Sequence, residues 1–170
     1  MMSSTSAEHY RTAETGSNAR VILERFLPYR LSVLASLTSQ ALAQIYAERF
    51  GLTIPGWRIV ATLGQYGVRT ARDIAAHAVM HKSRVSRAVS QLEARGLVVR
   101  RPNRDDRREE LLKLTASGRE IYEAVVPEAL AFERRMLSVL TPAEQAILVA
   151  LVEKLDRQAR RLGRAEEDHA

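Results

Sequence analysis

The hydrophobic period of this 170-residue chain changes inside a run of short, sharply punctuated segments. From residue 53 to 96 apolar residues recur at three- and four-residue steps, the mark of amphipathic helices. At LVVRR (97–101) and EELLKL (109–114) the segments become short, with β-branched or aliphatic centres, and PNRDDRR lies between them. Pro, Asn and Asp make that connection a turn, so the pair reads as a β-hairpin. Helical spacing returns at Thr115.

Each helix before the hairpin carries its own start and stop. Thr53 caps the first, with Pro55 in its opening turn, Trp57, Val60 and Leu63 on the buried face and Gly67 as its end. Thr70 caps the second, which carries Ile74, Ala75 and Ala78. The third runs from about His81 to Arg95, burying Val85, Ala88, Val89 and Leu92 and stopping at Gly96. Ahead of these lies a longer helix with Pro28 in its first turn, Leu31, Leu34, Thr38, Ala41, Leu42 and Ile45 at helical steps, and Gly51 as its close. Beyond the hairpin come two long helices. The second opens on a capping box, Thr141-Pro142-Ala143-Glu144, and lines one face with Leu148, Leu151, Leu155 and Leu162.

Helix, helix and hairpin in this order form the winged variety of the helix-turn-helix. The expected fold is therefore mainly α with a small β-hairpin wing: a DNA-binding lobe joined to a helical dimerisation region. The expected divisions are a loose polar arm (1–20), a dimerisation helix (21–52), the winged lobe (53–114), C-terminal dimerisation helices (115–162) and a frayed tail (163–170). The long helices have broader apolar faces than a lobe of roughly 80 residues covers, and a second copy of the chain would bury them.

The net charge of +6 is concentrated. From Lys82 to Arg108 there are nine basic residues (Lys82, Arg84, Arg87, Arg95, Arg100, Arg101, Arg104, Arg107, Arg108) and three acids (Glu93, Asp105, Asp106). The remainder balances. A neutral body with one basic stretch suits a polyanion partner, although charge alone also fits a solvated face. The absence of cysteine excludes disulfides, thiolate metal sites and thiol nucleophiles. The N-terminal stretch lacks the apolar core of a signal peptide, and an apolar run such as 147–152 is too short to cross a bilayer. A soluble, cytoplasmic protein with no membrane partner is expected.

The outer face of the His81–Arg95 helix offers Lys82, Ser83, Arg84, Ser86, Arg87, Ser90 and Gln91. These side chains reach phosphates or base edges, and arginine forks the O6 and N7 of guanine. Glu93 is the only acid on the helix, whereas a merely solvated face usually alternates Glu and Lys. On the hairpin, Arg104, Arg107 and Arg108 suit phosphate contact or minor-groove insertion. Asp105 and Asp106 repel DNA, so an internal role in aiming those arginines is expected, against the alternative of an exposed turn with weak ion pairs.

Residues 70–118 resemble the core of the multiple-antibiotic-resistance regulator (MarR) family. The resemblance rests on Ser-Arg-Ala-Val-x-x-Leu-Glu-x-x-Gly-Leu-Val at 86–98, Asp-x-Arg at 106–108, Leu-Thr at 114–115 and Gly118. The helical framework extends it from about Pro28 to Leu162. It implies a homodimeric transcriptional regulator on a palindromic operator in double-stranded DNA. It also implies that Asp106 supports the wing through Arg108, and that Arg108 or its neighbours enter the minor groove. Some members sense peroxide through a cysteine in the first long helix; this chain has none, so it senses through a small-molecule effector or not at all. The first helix is most similar to members governing aromatic-acid catabolism, some of which respond to aromatic acyl-CoA thioesters.

For an anionic effector the candidates are Arg30, Ser32, Ser36 and Ser39 on the first helix, with Trp57 and Arg58 as a wall. A packed core residue is the competing assignment for Trp57, and a snorkelling or ion-paired arginine for Arg30. Nothing supports catalysis: His9, His77, His81 and His169 have no metal-ligand spacing, no phosphate-cradling glycine loop or nucleophile elbow occurs, and no cofactor is implied. A non-specific architectural DNA binder would explain the charge but not the apolar long helices.

Overall fold

The computed structural model describes residues 20–103, 106 and 108–167. Among these residues the chain forms α1 (Leu27–Phe50), α2 (Ile54–Tyr66), β1 (Arg69–Thr70), α3 (Ala71–Ala78), α4 (Lys82–Ala94), β2 (Val98–Pro102), β3 (Glu110–Leu114), α5 (Ala116–Leu137) and α6 (Pro142–Glu167). The fold is the expected one, helical with a small antiparallel wing. No single helix among the described residues is long and apolar enough to cross a membrane.

Local chemistry places most boundaries. Thr53 Oγ1 accepts from the Gly56 amide at 3.2 Å with Pro55 in the first turn of α2, a cap whose loss costs about 1 kcal/mol. Thr70 and Asp73 form a reciprocal box at the start of α3, the side chain of each accepting from the other's amide. Gly51 ends α1 at φ 58°, a left-handed turn that glycine makes without a Cβ clash.

One turn breaks that habit. Val79 ends α3 at φ 49° and ψ 52°, the one non-glycine with positive φ among the described residues. For a β-branched side chain this costs about 1–2 kcal/mol. The turn sends Met80 into the core and His81 to the start of α4, while the Val79 side chain stays 76% exposed.

The core of the lobe is built from Ile59, Val60 and Leu63 of α2, Ile74 of α3, Val85, Val89 and Leu92 of α4, and Leu112 and Leu114 of β3. Each fully buried aliphatic side chain contributes roughly 1.5–3 kcal/mol relative to exposure. The sheet has three strands rather than the two of the expected hairpin. β2 pairs with β3 from Val98↔Leu114 to Pro102↔Glu110, and β1 adds to the other edge of β3 at Arg69↔Leu112 and Thr70↔Leu111.

Thr115 joins the wing to α5. Its amide donates to the Leu97 carbonyl at 3.0 Å, its hydroxyl donates to the Gly96 carbonyl at 2.7 Å, and the same oxygen accepts from the Gly118 amide at 3.1 Å. Gly118 lies so close to the Leu97 carbonyl that a Cβ there would overlap its oxygen.

The chain clusters into two compact units, one ending at Val125 and the other starting at Val126. In the first, the early part of α1 leaves Leu27, Leu31, Leu34 and Leu37 exposed, and only Tyr46 of that helix is buried. In the second, Gln145 Nε2 donates to the Leu137 and Leu140 carbonyls, both at 3.1 Å, and closes the turn into α6. The expected box is present there: Thr141 donates to Glu144 Oε2 and accepts from its amide, bonds that hold the Glu144 carboxyl below its ordinary pKa. Ile147, Leu148, Leu151, Leu155 and Leu162 are exposed along α6. That helix also continues to Glu167, past the point at 163 where the sequence predicts a frayed tail. An i,i+4 pair, Asp156 with Arg160 at 2.9 Å, supports it, and Gly163 alone does not end it.

Candidate nucleic-acid interface

α4 divides cleanly. Val85, Ala88, Val89 and Leu92 are buried, and Lys82, Ser83, Arg84, Ser86, Arg87, Ser90 and Gln91 are all exposed. The seven side chains proposed from sequence thus share one solvent-facing surface. Its start is held by His81, whose ring nitrogen Nδ1 accepts from the Ser83 amide at 3.4 Å and lies 3.0 Å from Ser83 Oγ. Arg87 Nε donates to the Ser83 carbonyl at 3.4 Å, which draws its guanidinium back along the helix.

Among the described basic residues of this stretch, Arg95 and Arg100 are bonded to other parts of the chain. Arg95, at the end of α4, donates from Nη1 to the Gly51 carbonyl at 2.9 Å and from Nη2 to the Phe50 carbonyl. A cation on the last carbonyls of α1 satisfies acceptors that the helix leaves unpaired and opposes its dipole. Arg100 bridges Glu93 at 2.9 Å and Glu110 at 2.8 Å, and those bonds raise its pKa. The single acid of α4 is therefore occupied by the wing strand rather than turned toward a polyanion.

Within the wing, Arg104, Asp105 and Arg107 lie outside the described residues. Asp106 Oδ1 accepts from the Arg108 main-chain amide at 2.9 Å, and the Asp106 carbonyl accepts from Glu109 at 3.1 Å. Among the described residues, then, Asp106 grips Arg108 by its backbone, which shapes the turn and leaves the exposed guanidinium to face outward. Arg72 of α3 reaches Glu109 at 3.2 Å and ties the loop end of the wing to the lobe.

The effector candidates separate. Trp57 is 8% exposed, stacked on Tyr46 at 5.4 Å and on Tyr122 at 6.4 Å between ring centroids. Burial raises the Tyr46 pKa, opposed by the nearby Arg58 charge. Arg58 is exposed and donates to Ser39 Oγ at 3.5 Å. On the helix of α1, Ser32, Ser36 and Ser39 fall within about 60° of one another, whereas Arg30 is roughly 180° and about 13 Å from Ser39. Arg58 joins the serine face, and Arg30 does not. Sequence reasoning also passed over Val79; the available signal was that no Gly or Asn stands between α3 and α4, where a tight turn needs positive φ.

The model of the MarR family matches residues 50–109, from the end of α1 to the foot of β3. Among curated proteins, the transcriptional regulator HosA of Escherichia coli O157:H7 is 30% identical over 123 residues, covering 72% of this chain and 90% of HosA. Among solved structures, the MarR family transcriptional regulator SPO1453 of Silicibacter pomeroyi is 31% identical with a TM-score of 0.66, over 80% of this chain and 99% of that one. The structure of NadR in complex with 4-hydroxyphenylacetate is 26% identical with a TM-score of 0.66, over 76% of this chain and 92% of NadR.

Proposed function

This chain belongs to the MarR family of DNA-binding transcriptional regulators, and from that premise we propose that it is a ligand-responsive repressor acting in the cytoplasm. In this reading it binds a palindromic operator as a homodimer and leaves it when a small anionic effector binds. The observation that carries the reading is the outer face of α4, where seven exposed polar or basic side chains stand together and the one acid of the helix, Glu93, is paired with Arg100. In the proposed complex that face enters the major groove while Arg108 and its neighbours reach the flanking minor groove. The test is competition binding: a selected inverted repeat should stay bound against excess random duplex. Its loss to random DNA would mark an architectural binder instead.

The homodimer is supported by the rows of apolar side chains left exposed on α1 (Leu27, Leu31, Leu34, Leu37) and on α6 (Leu148, Leu151, Leu155, Leu162), which a second copy of the chain would cover. We expect sedimentation at micromolar concentration to give a dimer, with unfolding that depends on protein concentration. A folded monomer that binds the operator would overturn it. The two α4 helices must then meet successive major grooves, about 34–36 Å apart.

The effector reading takes support from NadR, whose structure holds an aromatic acid. In this chain Arg58 beside Ser39, with Ser36 and Ser32 along the same face, is the better-placed cation for a carboxylate; burying that charge without donors is costly. A ligand that disfavours the DNA-bound spacing by 1–3 kcal/mol would lower operator affinity roughly 5–150-fold. Aromatic acids and their CoA thioesters titrated into the protein–operator complex should release DNA, and Arg58→Ala should raise the concentration needed. If Arg30→Ala does so and Arg58→Ala does not, the anion sits on the other face of α1. If no such compound releases DNA, the aromatic-effector reading fails.

A further inference from the structure

We propose that Val79, in the turn ahead of α4, is a specificity residue that reads the 5-methyl group of a thymine in the major groove. The inference rests on the DNA-binding function proposed above and adds a residue outside the polar face of α4.

The valine does nothing for the lobe that glycine would not do better. At the other positive-φ positions among the described residues (Gly51, Gly67 and Gly96) the chain uses glycine. At Val79 it keeps a β-branched side chain in a conformation that β-branching resists. Burial does not repay that strain, since the side chain is 76% exposed while its neighbour Met80 is 8% exposed. The backbone requirement of the turn is met without it: the Val79 and Met80 amides both donate to the Ala75 carbonyl. A strained residue that buries nothing points to a use outside the fold.

Its surroundings name the partner. Val79 stands three residues before Lys82, at the end of α4 whose first turn exposes Lys82, Ser83 and Arg84. The N-terminal residues of a groove-entering helix lie nearest the base edges. All the exposed groups there are polar or cationic, matched to phosphates and to guanine or adenine edges, and none is apolar. The one apolar feature of the major-groove floor is the thymine methyl, which aliphatic side chains contact. A rigid isopropyl group held outward by a left-handed turn fits that feature.

The test begins with duplexes that the full-length wild-type chain selects from a random library. Each thymidine of the selected inverted repeat is then replaced symmetrically by deoxyuridine, which lacks only the methyl group, and affinities are measured for wild type and Val79→Gly. One symmetric position should lose about fourfold per half-site with wild type, the worth of one buried methyl, and nothing with Val79→Gly. Val79→Gly should meanwhile raise the Tm by about 2–4 °C, since the strain is released. Three results would overturn the proposal. If no uracil penalty depends on residue 79 while the repeat is still preferred over random duplex, the valine reads no methyl and the regulator reading stands. If Val79→Gly melts lower than wild type, the side chain serves the fold. If wild type selects no repeat at all, the operator reading fails and the thymine contact with it.

Discussion

Gly118→Ala is expected to be the most damaging single methyl added to this chain, costing about 3 kcal/mol and lowering the Tm by roughly 6–12 °C. The new Cβ would overlap the Leu97 carbonyl, and that oxygen is already fixed by the Thr115 amide. A flexible side chain could swing aside; this neighbour is backbone at the head of β2, and moving it drags the wing and the end of α4. Gly163→Ala is the matched control. Nothing lies within 4 Å of a Cβ there, so the same change in a helix should stabilise by up to about 1 kcal/mol. Thermal melts of the two variants should shift in opposite directions. Gly118→Ala melting with wild type would show that β2 yields, and the close approach would lose its structural meaning.

Arg84→Ala and Arg87→Ala should each weaken operator binding by about 1–3 kcal/mol, roughly 5–150-fold, and relax base preference at one position per half-site. Both side chains stand on the exposed face of α4 and neither is in an ion pair among the described residues. Arg108→Ala should instead remove the advantage of A·T-rich flanks, because a wing arginine responds to groove potential rather than to base edges. Arg95→Ala serves as the contrast within the same basic stretch. Its guanidinium is spent on the last carbonyls of α1, so its loss should lower the Tm without altering base preference. Equal losses on operator and random duplex for the α4 variants would assign those arginines to phosphates and reject base reading.

These contrasts follow from what the chain states locally and what it leaves to the fold. The elements were legible because their signals act over one turn. Thr53, Thr70 and Thr141 accept from amides three residues on, and Gly51 and Gly96 take the left-handed turns for which glycine is suited. The buried and exposed faces of α4 were legible for the same reason, since 3.6 residues per turn fixes which side chains share a side. α6 runs on through Gly163 to Glu167, because a lone glycine that no following breaker reinforces does not end a helix.

What the sequence by itself determined, then, is the order of elements, the outward face of α4 and the concentration of charge from Lys82 to Arg108. Only the tertiary structure decided which of those charges are available and which candidates meet. Arg95 finds its acceptors at Phe50 and Gly51, and Arg100 finds Glu110 across the β2–β3 register. Two-residue β1 has no periodicity to read and exists because Leu111 and Leu112 offer it an edge some forty residues later. Asp106 turns to the amide of Arg108, and Ser39 of α1 accepts from Arg58 of α2. Each of these outcomes is a pairing between groups distant along the chain or set by side-chain geometry. A hydrogen bond or ion pair depends on positions within a few tenths of an ångström, and residue spacing carries no such information once the path between partners passes through a turn.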